Sequence, residues 1–118
     1  MMNIASDARI FVFTSSTDMR KGFHGLISLI QKFSENPIDG SFYVFTNRNR
    51  TRLKILYWDG DGFALWYKYL QKGLFDIAQS ADGKLLIDRR RLTLILEGVE
   101  PLKIRSSCLL YTSPSPRD

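Results

Sequence analysis

The middle of the chain holds three runs rich in aromatic and β-branched residues: Phe42-Tyr-Val-Phe45, Leu53-Lys-Ile-Leu-Tyr-Trp58 and Phe63-Ala-Leu-Trp-Tyr-Lys-Tyr-Leu70. Each run has the length and composition of a β-strand. The first two are separated by the polar turn Asn47-Arg-Asn-Arg-Thr51, and the last two by Asp59-Gly-Asp-Gly62. Because Asp-Gly supplies the positive φ angles of a tight hairpin, the three strands are predicted to form an antiparallel meander.

The segment before the meander predicts one more strand and a helix. Arg9-Ile-Phe-Val-Phe13 has the composition of a strand, and Thr17 or Asp18 is suited to capping the helix that follows. Apolar side chains at helical spacing predict a long N-terminal helix over residues 19–35, which ends near Pro37. The members of this apolar stripe are Phe23, Leu26, Ile27, Ile30 and Phe33.

The segment after the meander predicts a shorter C-terminal helix. Asp88 is suited to capping it, and Gly98 and Pro101 would end it. Its inner face would carry Leu92, Ile95, Leu96 and Val99. Phe75-Asp-Ile-Ala78 could add a short strand. The predicted fold is a single α+β domain, with an antiparallel sheet that includes a basic hairpin and is packed by the long N-terminal and the shorter C-terminal helix.

The end of the chain departs from this pattern. Ser113-Pro-Ser-Pro116 has neither helical nor strand periodicity, and residues 108–118 look like translated sequencing-adapter read-through. We therefore expect the domain to span residues 1–105 and residues 106–118 to be a disordered, non-native tail. The native C-terminus is then expected to be missing.

Composition excludes several classes of protein. The chain has 118 residues, of which 44% are hydrophobic, enough for one domain with a core of its own. A single cysteine, Cys108, and a single histidine, His24, exclude an internal disulfide and a Cys- or His-rich metal centre. No apolar stretch approaches the ~20 residues of a membrane span, and no secretory signal begins the chain. We expect a cytoplasmic protein whose net charge of +5 favours acidic partners, nucleic acid first.

Four cations occupy every second position around the first turn of the meander: Arg48, Arg50, Arg52 and Lys54. On an extended ribbon, all four side chains would leave by one face and could follow a phosphate backbone. Spacing alone favours a solvated hairpin rim instead, since charged strand faces are common. The lack of any acidic residue between Gly40 and Trp58 shifts the interpretation towards DNA binding.

A second candidate contact is Asp18-Met-Arg-Lys-Gly22, which puts Arg20 and Lys21 at the start of the predicted helix. Cations are mildly unfavourable at a helix N-terminus, so their presence there hints at an anionic partner. Solvated first-turn residues are an equally good explanation. A further basic cluster, Arg89-Arg-Arg91, is of a kind that is usually solvated surface, although it could flank a groove.

Aromatic residues are concentrated beside the basic hairpin: Tyr57, Trp58, Trp66, Tyr67 and Tyr69. Exposed members could stack on nucleic-acid bases, as on single-strand binding platforms. Alternation in a sheet will bury about half of them, so core packing is the expected role for most.

An enzymatic site has little support in the sequence. Asp59 and Asp61 flank Gly60 in a way that is typical of a tight turn, and a metal-dependent nuclease would need further acids, of which Asp18 is the one candidate. His24 has no nucleophile or acid at a diagnostic spacing. We expect neither a catalytic residue nor a metal or other cofactor.

Several ordered motifs, taken together, resemble those of one family, the small TnpB accessory proteins of the insertion sequence 66 group of transposable elements. The motifs are Thr17-Asp-Met-Arg-Lys-Gly-Phe23, Gly25-Leu26, Phe42-Tyr-Val-Phe45, Arg52-Leu-Lys-Ile-Leu-Tyr-Trp-Asp59 with Gly62, and Leu94-Ile-Leu-Glu-Gly98. The resemblance runs from about Arg9 to Glu100. His24 stands where an acidic residue is common in the family, which argues against a catalytic role for that helix.

The resemblance implies a bacterial mobile-element protein that acts beside a separate, larger transposase, which carries the acidic catalytic residues. It implies no enzyme activity and brings no agreed binding residues. The expected function is a non-enzymatic accessory factor of DNA transposition, whose partners are mobile-element DNA and the transposase. Its predicted DNA contacts are Arg48, Arg50, Arg52 and Lys54, assisted by Arg20 and Lys21. The alternatives are an adaptor that docks on the transposase through the aromatic sheet face, or a small metal-dependent nuclease using Asp18, Asp59 and Asp61.

Overall fold

The structure is a computed structural model that describes residues 3–33 and 35–100. The predicted non-native tail over residues 106–118 and the predicted helix-ending Pro101 lie outside these residues. The described residues form seven elements: β1 (Ile10–Phe13), α1 (Phe23–Lys32), β2 (Phe42–Thr46), β3 (Arg52–Trp58), β4 (Phe63–Tyr69), β5 (Lys84–Ile87) and α2 (Arg89–Glu97). None of the helices among these residues is long and apolar enough to cross a membrane.

The central meander is confirmed. Strand β2 pairs antiparallel with β3, and β3 pairs antiparallel with β4. The β3–β4 hairpin turns through residues 59–62, where the Asp59 amide donates to the Gly62 carbonyl at 2.7 Å and Gly60 has a φ of 85°. Asp-Gly therefore acts here as the sequence predicts, because glycine adopts this positive φ without a steric cost.

The sheet is mixed rather than antiparallel, so that part of the fold prediction is wrong. Its strand order is β4-β3-β2-β1-β5, and β1 pairs parallel with β2 through Ile10–Phe42 and Val12–Val44. Two parallel neighbours need a long crossover connection, which α1 supplies here. Strand β5 then pairs antiparallel with the free side of β1.

The two helices cover opposite faces of the sheet. Leu26 and Ile30 of α1 pack in one cluster with Phe13 and Phe45. Leu92 and Ile95 of α2 pack in the other, with the strand residues that alternate with the first set. Because successive strand residues point to opposite faces, the sheet lies as a middle layer between the α1 face and the α2 face.

Helix α1 is shorter than predicted. It covers ten residues from Phe23, nearly the same length as the nine-residue α2, and it follows β1 in the chain. Its N-cap is Gly22, with no side-chain cap, so neither Thr17 nor Asp18 caps it. Phe23, predicted to lie on the apolar stripe, is 42% exposed. The preceding residues are held in a loop by contacts with the sheet, described below, and so do not join the helix.

Helix α2 begins as predicted. The Asp88 carboxylate accepts the Arg91 backbone N–H at 2.8 Å, and the helix ends at Gly98, whose φ is 77°. Val99 lies beyond the helix, where it forms an isolated bridge with Leu74 instead of packing on the inner helix face. The short strand that Phe75-Asp-Ile-Ala78 could have formed is absent from the described residues, although Phe75 is fully buried in the core.

Candidate nucleic-acid interface

The predicted row of four cations divides into an exposed pair and a buried pair. Arg48 and Arg52 are exposed, Arg50 is half-buried, and Lys54 is only 8% exposed. Arg48 and Arg50 belong to the turn between β2 and β3, which is not an extended ribbon. The prediction that all four side chains leave by one face is therefore wrong, because alternation applies only inside a strand.

Arg50 is a structural residue at the end of the sheet. Its guanidinium donates to the Thr46 hydroxyl and, at 2.9 Å, to the Thr14 carbonyl, which joins the β2–β3 turn to the end of β1. Burial lowers the pKa of this guanidinium below its ordinary value. Its φ of 59° lies in the left-handed region, which non-glycine residues rarely occupy. The hydrogen bonds of Arg50 to Thr14 and Thr46 therefore offset the strain of its left-handed backbone conformation.

Lys54 holds the loop before α1 against the sheet. Its ammonium donates to the Met19 carbonyl at 2.8 Å and to the Lys21 carbonyl at 3.0 Å, and lies 5.1 Å from the centre of the Tyr67 ring. A buried ammonium must find acceptors for its N–H groups, and here two of the acceptors are main-chain carbonyls. In the structure the Lys54 ammonium therefore positions the loop before α1.

Residues 14–22 form the loop that Arg50 and Lys54 hold, and we call it the presenting loop. It is fixed at a third point by the Thr17 amide, which donates to the Thr46 carbonyl at 2.8 Å. Lys54 binds the main-chain carbonyls at positions 19 and 21, and the side chains of Arg20 and Lys21 are exposed. Two of the six predicted contact residues therefore position two others.

Arg20 is paired with a carboxylate of its own loop. Its guanidinium donates to Oδ2 of Asp18 at 2.8 Å and to Oδ1 at 3.1 Å, and its backbone N–H donates to Oδ1 at 2.9 Å. These hydrogen bonds, the side-chain ones first, lower the pKa of Asp18 to about 2. The Arg20 side chain is still 91% exposed, so the pair sits in water and leaves guanidinium edges available.

The Asp18–Arg20 pair predicts a specific titration. We expect the Asp18 carboxyl to titrate with a pKa of about 2 in the native protein, against an ordinary value of 3.8. Because its native pKa is the lower one, the pair favours the native state above about pH 4 and ceases to do so as pH falls towards 2. Carboxyl-carbon NMR titration measures this directly. In Arg20→Gln, the Asp18 midpoint should return towards 3.8, whereas an unchanged midpoint would contradict the pairing.

Arg52 projects from β3 on the α1 face and is ordered by two tyrosines. Its guanidinium donates to the Tyr67 hydroxyl at 3.2 Å and lies 4.6 Å from the centre of the Tyr69 ring. It makes no ion pair with a carboxylate within residues 3–33 and 35–100. Arg48 stands close by along the chain, since the adjacent Asn47 amide donates to the Arg52 carbonyl at 3.1 Å.

The aromatic residues of the hairpin divide between core and surface. Tyr57 and Trp66 pack against the core of the α2 face, and Trp58 meets Phe63 edge-on near the hairpin turn. Tyr67 and Tyr69 are 47% and 51% exposed. Alternation correctly predicts that some of the five pack inwards, but it does not identify the exposed ones. Helix α1 does not extend over these two tyrosines, and the sequence pattern within the strand does not predict this.

The exposed groups adjoin one another through Lys54. Lys54 lies on the same strand face as Arg52, beneath Tyr67, and its ammonium reaches the presenting loop. Lys54 therefore links the strand that carries Arg52 to the loop that carries Arg20 and Lys21, and we call the exposed basic and aromatic residues of these and adjoining segments the basic-aromatic surface. Its members are Arg20, Lys21, Arg48, Arg52, Tyr67 and Tyr69.

The carboxylates proposed for a nuclease do not come together. Asp59 and Asp61 lie in the turn that follows Trp58, at the end of β3 away from Arg52, while Asp18 is bound to Arg20. In the described part of the chain, no three His, Cys, Asp or Glu side chains form a group that could hold a metal ion. The Arg89-Arg-Arg91 cluster begins α2, on the other face of the sheet, and Arg89 donates to the Ile4 carbonyl at 3.2 Å.

Comparison with known proteins identifies relatives over nearly the whole described chain. A family model described as "IS66 Orf2 like protein" matches residues 8–106. A protein of Sinorhizobium fredii named "Uncharacterized protein y4hO" is 33% identical over 101 residues, which cover 85% of this chain and 88% of that protein. A second from the same organism, "Uncharacterized protein y4jC", is 30% identical over 106 residues, or 89% of this chain and 91% of the relative. No solved structure gives a significant match.

Proposed function

The chain belongs to the IS66 Orf2-like family, and from that membership we propose that it is a DNA-binding accessory protein of transposition, working beside a separate transposase. The family gives the context, which is an insertion sequence. The basic-aromatic surface gives the mode of action, which is contact with the phosphate backbone of mobile-element DNA. The chain contributes binding and positioning, while bond breakage belongs to the transposase.

The observation that carries this proposal is that Arg52 is ordered, exposed and free of a carboxylate partner in the described residues. A guanidinium offers several N–H donors in a fixed fork that suits phosphate oxygens. Holding the fork in place beforehand reduces the side-chain entropy lost on binding. Arg48, in the β2–β3 turn, and Lys21, in the presenting loop, add further exposed cations.

Arg20 can contribute to the same surface by exchanging its contact with Asp18 for a contact with a DNA phosphate. Its ion pair with Asp18 is exposed to water, and exposed ion pairs contribute little net free energy. A phosphate oxygen can therefore replace a carboxylate oxygen at small cost. Asp18 also keeps the guanidinium close to the loop when no DNA is present.

We assign Arg50 and Lys54 a supporting role in this function. Their donors already contact Thr14, Thr46, Met19 and Lys21. The proposed phosphate contacts are therefore four of the six residues that the sequence suggests: Arg20, Lys21, Arg48 and Arg52.

Fluorescence anisotropy across a salt series tests the proposal. Labelled element-end DNA and scrambled DNA of equal length are titrated with the protein between about 50 and 300 mM salt. Four phosphate contacts predict that log K falls with log salt concentration with a slope of roughly −3 to −4. Tighter binding to element ends than to scrambled DNA would add sequence preference. Absence of binding to both DNAs at low salt would overturn DNA contact and leave docking on the transposase as the function to test, by co-purification with that protein.

A further inference from the structure

We propose that Tyr67, Arg52 and Tyr69 form a stacking site for unpaired bases, so that single-stranded DNA is the preferred ligand of the basic-aromatic surface. This inference rests on the proposed DNA binding and specifies its substrate class. Contact with phosphates alone gives Tyr67 and Tyr69 no role in binding, whereas base stacking does.

The first argument is the placement of the tyrosine rings. Tyr67 and Tyr69 are two residues apart in β4, so both point to the α1 face, yet α1 does not cover them. About half of each residue is accessible to solvent. Trp66, the residue just before Tyr67, packs against the core of the α2 face instead. The strand thus holds its two amphipathic rings on the open side of the sheet.

The second argument is the arrangement of Arg52 between the rings. Its guanidinium lies 4.6 Å from the centre of the Tyr69 ring and donates to the Tyr67 hydroxyl at 3.2 Å. Three flat groups therefore adjoin on one surface, and nucleic-acid bases stack on both aromatic rings and guanidinium planes. The Lys54 ammonium lies against the Tyr67 ring, 5.1 Å from the ring centre, which limits the movement of the ring before any ligand arrives.

The third argument is the combination of charge and stacking. Single-strand binding surfaces pair a basic track for the phosphates with aromatic rings for successive bases. Arg52 supplies exposed charge beside the rings, and Arg48 and the presenting loop, which Lys54 binds through the Lys21 carbonyl, carry further exposed cations. In a duplex the faces of the bases are stacked on one another, so a duplex would contact the cations but could not stack on the tyrosines. An unpaired strand would use both.

The experiment compares single and double strands with matched variants. A labelled dT 20-mer, a mixed-sequence 20-mer and the duplex of the latter are titrated at one salt concentration. We expect the single strands to bind more tightly than the duplex. In the double variant Tyr67→Ala/Tyr69→Ala, single-strand affinity should fall about tenfold or more. Duplex affinity should fall clearly less, because the duplex loses only the ordering of Arg52. Leu94→Ala removes an equally exposed apolar side chain from the opposite face and should change neither.

Two further variants protect the test against misfolding. Tyr67→Phe/Tyr69→Phe keeps both rings and should retain the single-strand preference. Arg52→Lys keeps the charge without the planar fork, and should weaken single-strand binding more than duplex binding. Duplex affinity equal to or above single-strand affinity, with no effect of tyrosine removal, would overturn the stacking site while leaving the DNA-binding function intact. Loss of binding to every DNA would overturn both.

Discussion

Lys54→Met is expected to lower the free energy of unfolding by about 2–4 kcal/mol. The substitution removes the buried ammonium that donates two hydrogen bonds, and so leaves the Met19 and Lys21 carbonyls without that donor. Methionine keeps most of the apolar stem, so the loss reports the ammonium and not a cavity. Urea unfolding followed by tryptophan fluorescence measures it.

Lys72→Met is the matched control, since Lys72 is exposed and its ammonium makes no hydrogen bond in the described residues. Its unfolding free energy should change by less than about 0.5 kcal/mol. Equal losses in the two variants would show that net charge, and not the carbonyl contacts of Lys54, sets the result. If Lys54→Met instead left stability unchanged and weakened DNA binding directly, Lys54 would be a phosphate contact and not a support for the presenting loop.

Replacing all four exposed cations of the basic-aromatic surface by alanine is expected to weaken DNA binding at least about 100-fold near 0.15 M salt. The salt slope should become shallower by roughly 3 to 4, because each lost phosphate contact removes about 0.9 from it. The variant combines Arg20→Ala, Lys21→Ala, Arg48→Ala and Arg52→Ala. None of these side chains is buried, so the unfolding transition should remain cooperative and close to that of the parent protein.

The control variant removes the same number of charges elsewhere on the protein. It combines Lys32→Ala, Lys72→Ala, Arg90→Ala and Arg91→Ala, all of which are exposed. A local binding surface predicts that this variant keeps most of the affinity and of the salt slope. Equal weakening of binding in the two variants would mean that DNA responds to overall charge, and would contradict an interface at the presenting loop and β3.

The meander could be predicted from the sequence because its determinants are local. The strand runs, the polar turn and Asp59-Gly-Asp-Gly62 all act within a few residues of each other. The position of β1 could not be predicted in the same way. Its run of four buried residues shows that it is a strand, but its parallel pairing with β2 depends on contacts between segments about 30 residues apart.

The candidate site shows the same division. Alternation correctly puts Arg52 and Lys54 on one side of β3. It predicts the face to which each side chain points, but not whether that side chain is buried or exposed. Lys54 is buried because the presenting loop crosses it. Arg50 itself has a left-handed backbone conformation, and its guanidinium reaches inward to the Thr14 carbonyl. Both effects come from distant or unusual backbone geometry. Tyr67 and Tyr69 are likewise exposed because α1 does not extend over them. The sequence of β4 alone does not predict how far α1 extends over the sheet.

The place of β1 inside the sheet has a consequence for how the chain assembles during synthesis. Ile10 leaves the ribosome well before its partner Ile87, so β5 cannot pair with β1 until the chain has been made through residue 87. Local hairpins close quickly, whereas pairing across such a long separation must first overcome the entropy of closing the intervening chain. We expect docking of β5 to be the last and slowest step of folding. Until it occurs, the apolar edge of β1 is the part of the nascent chain most open to association with other chains.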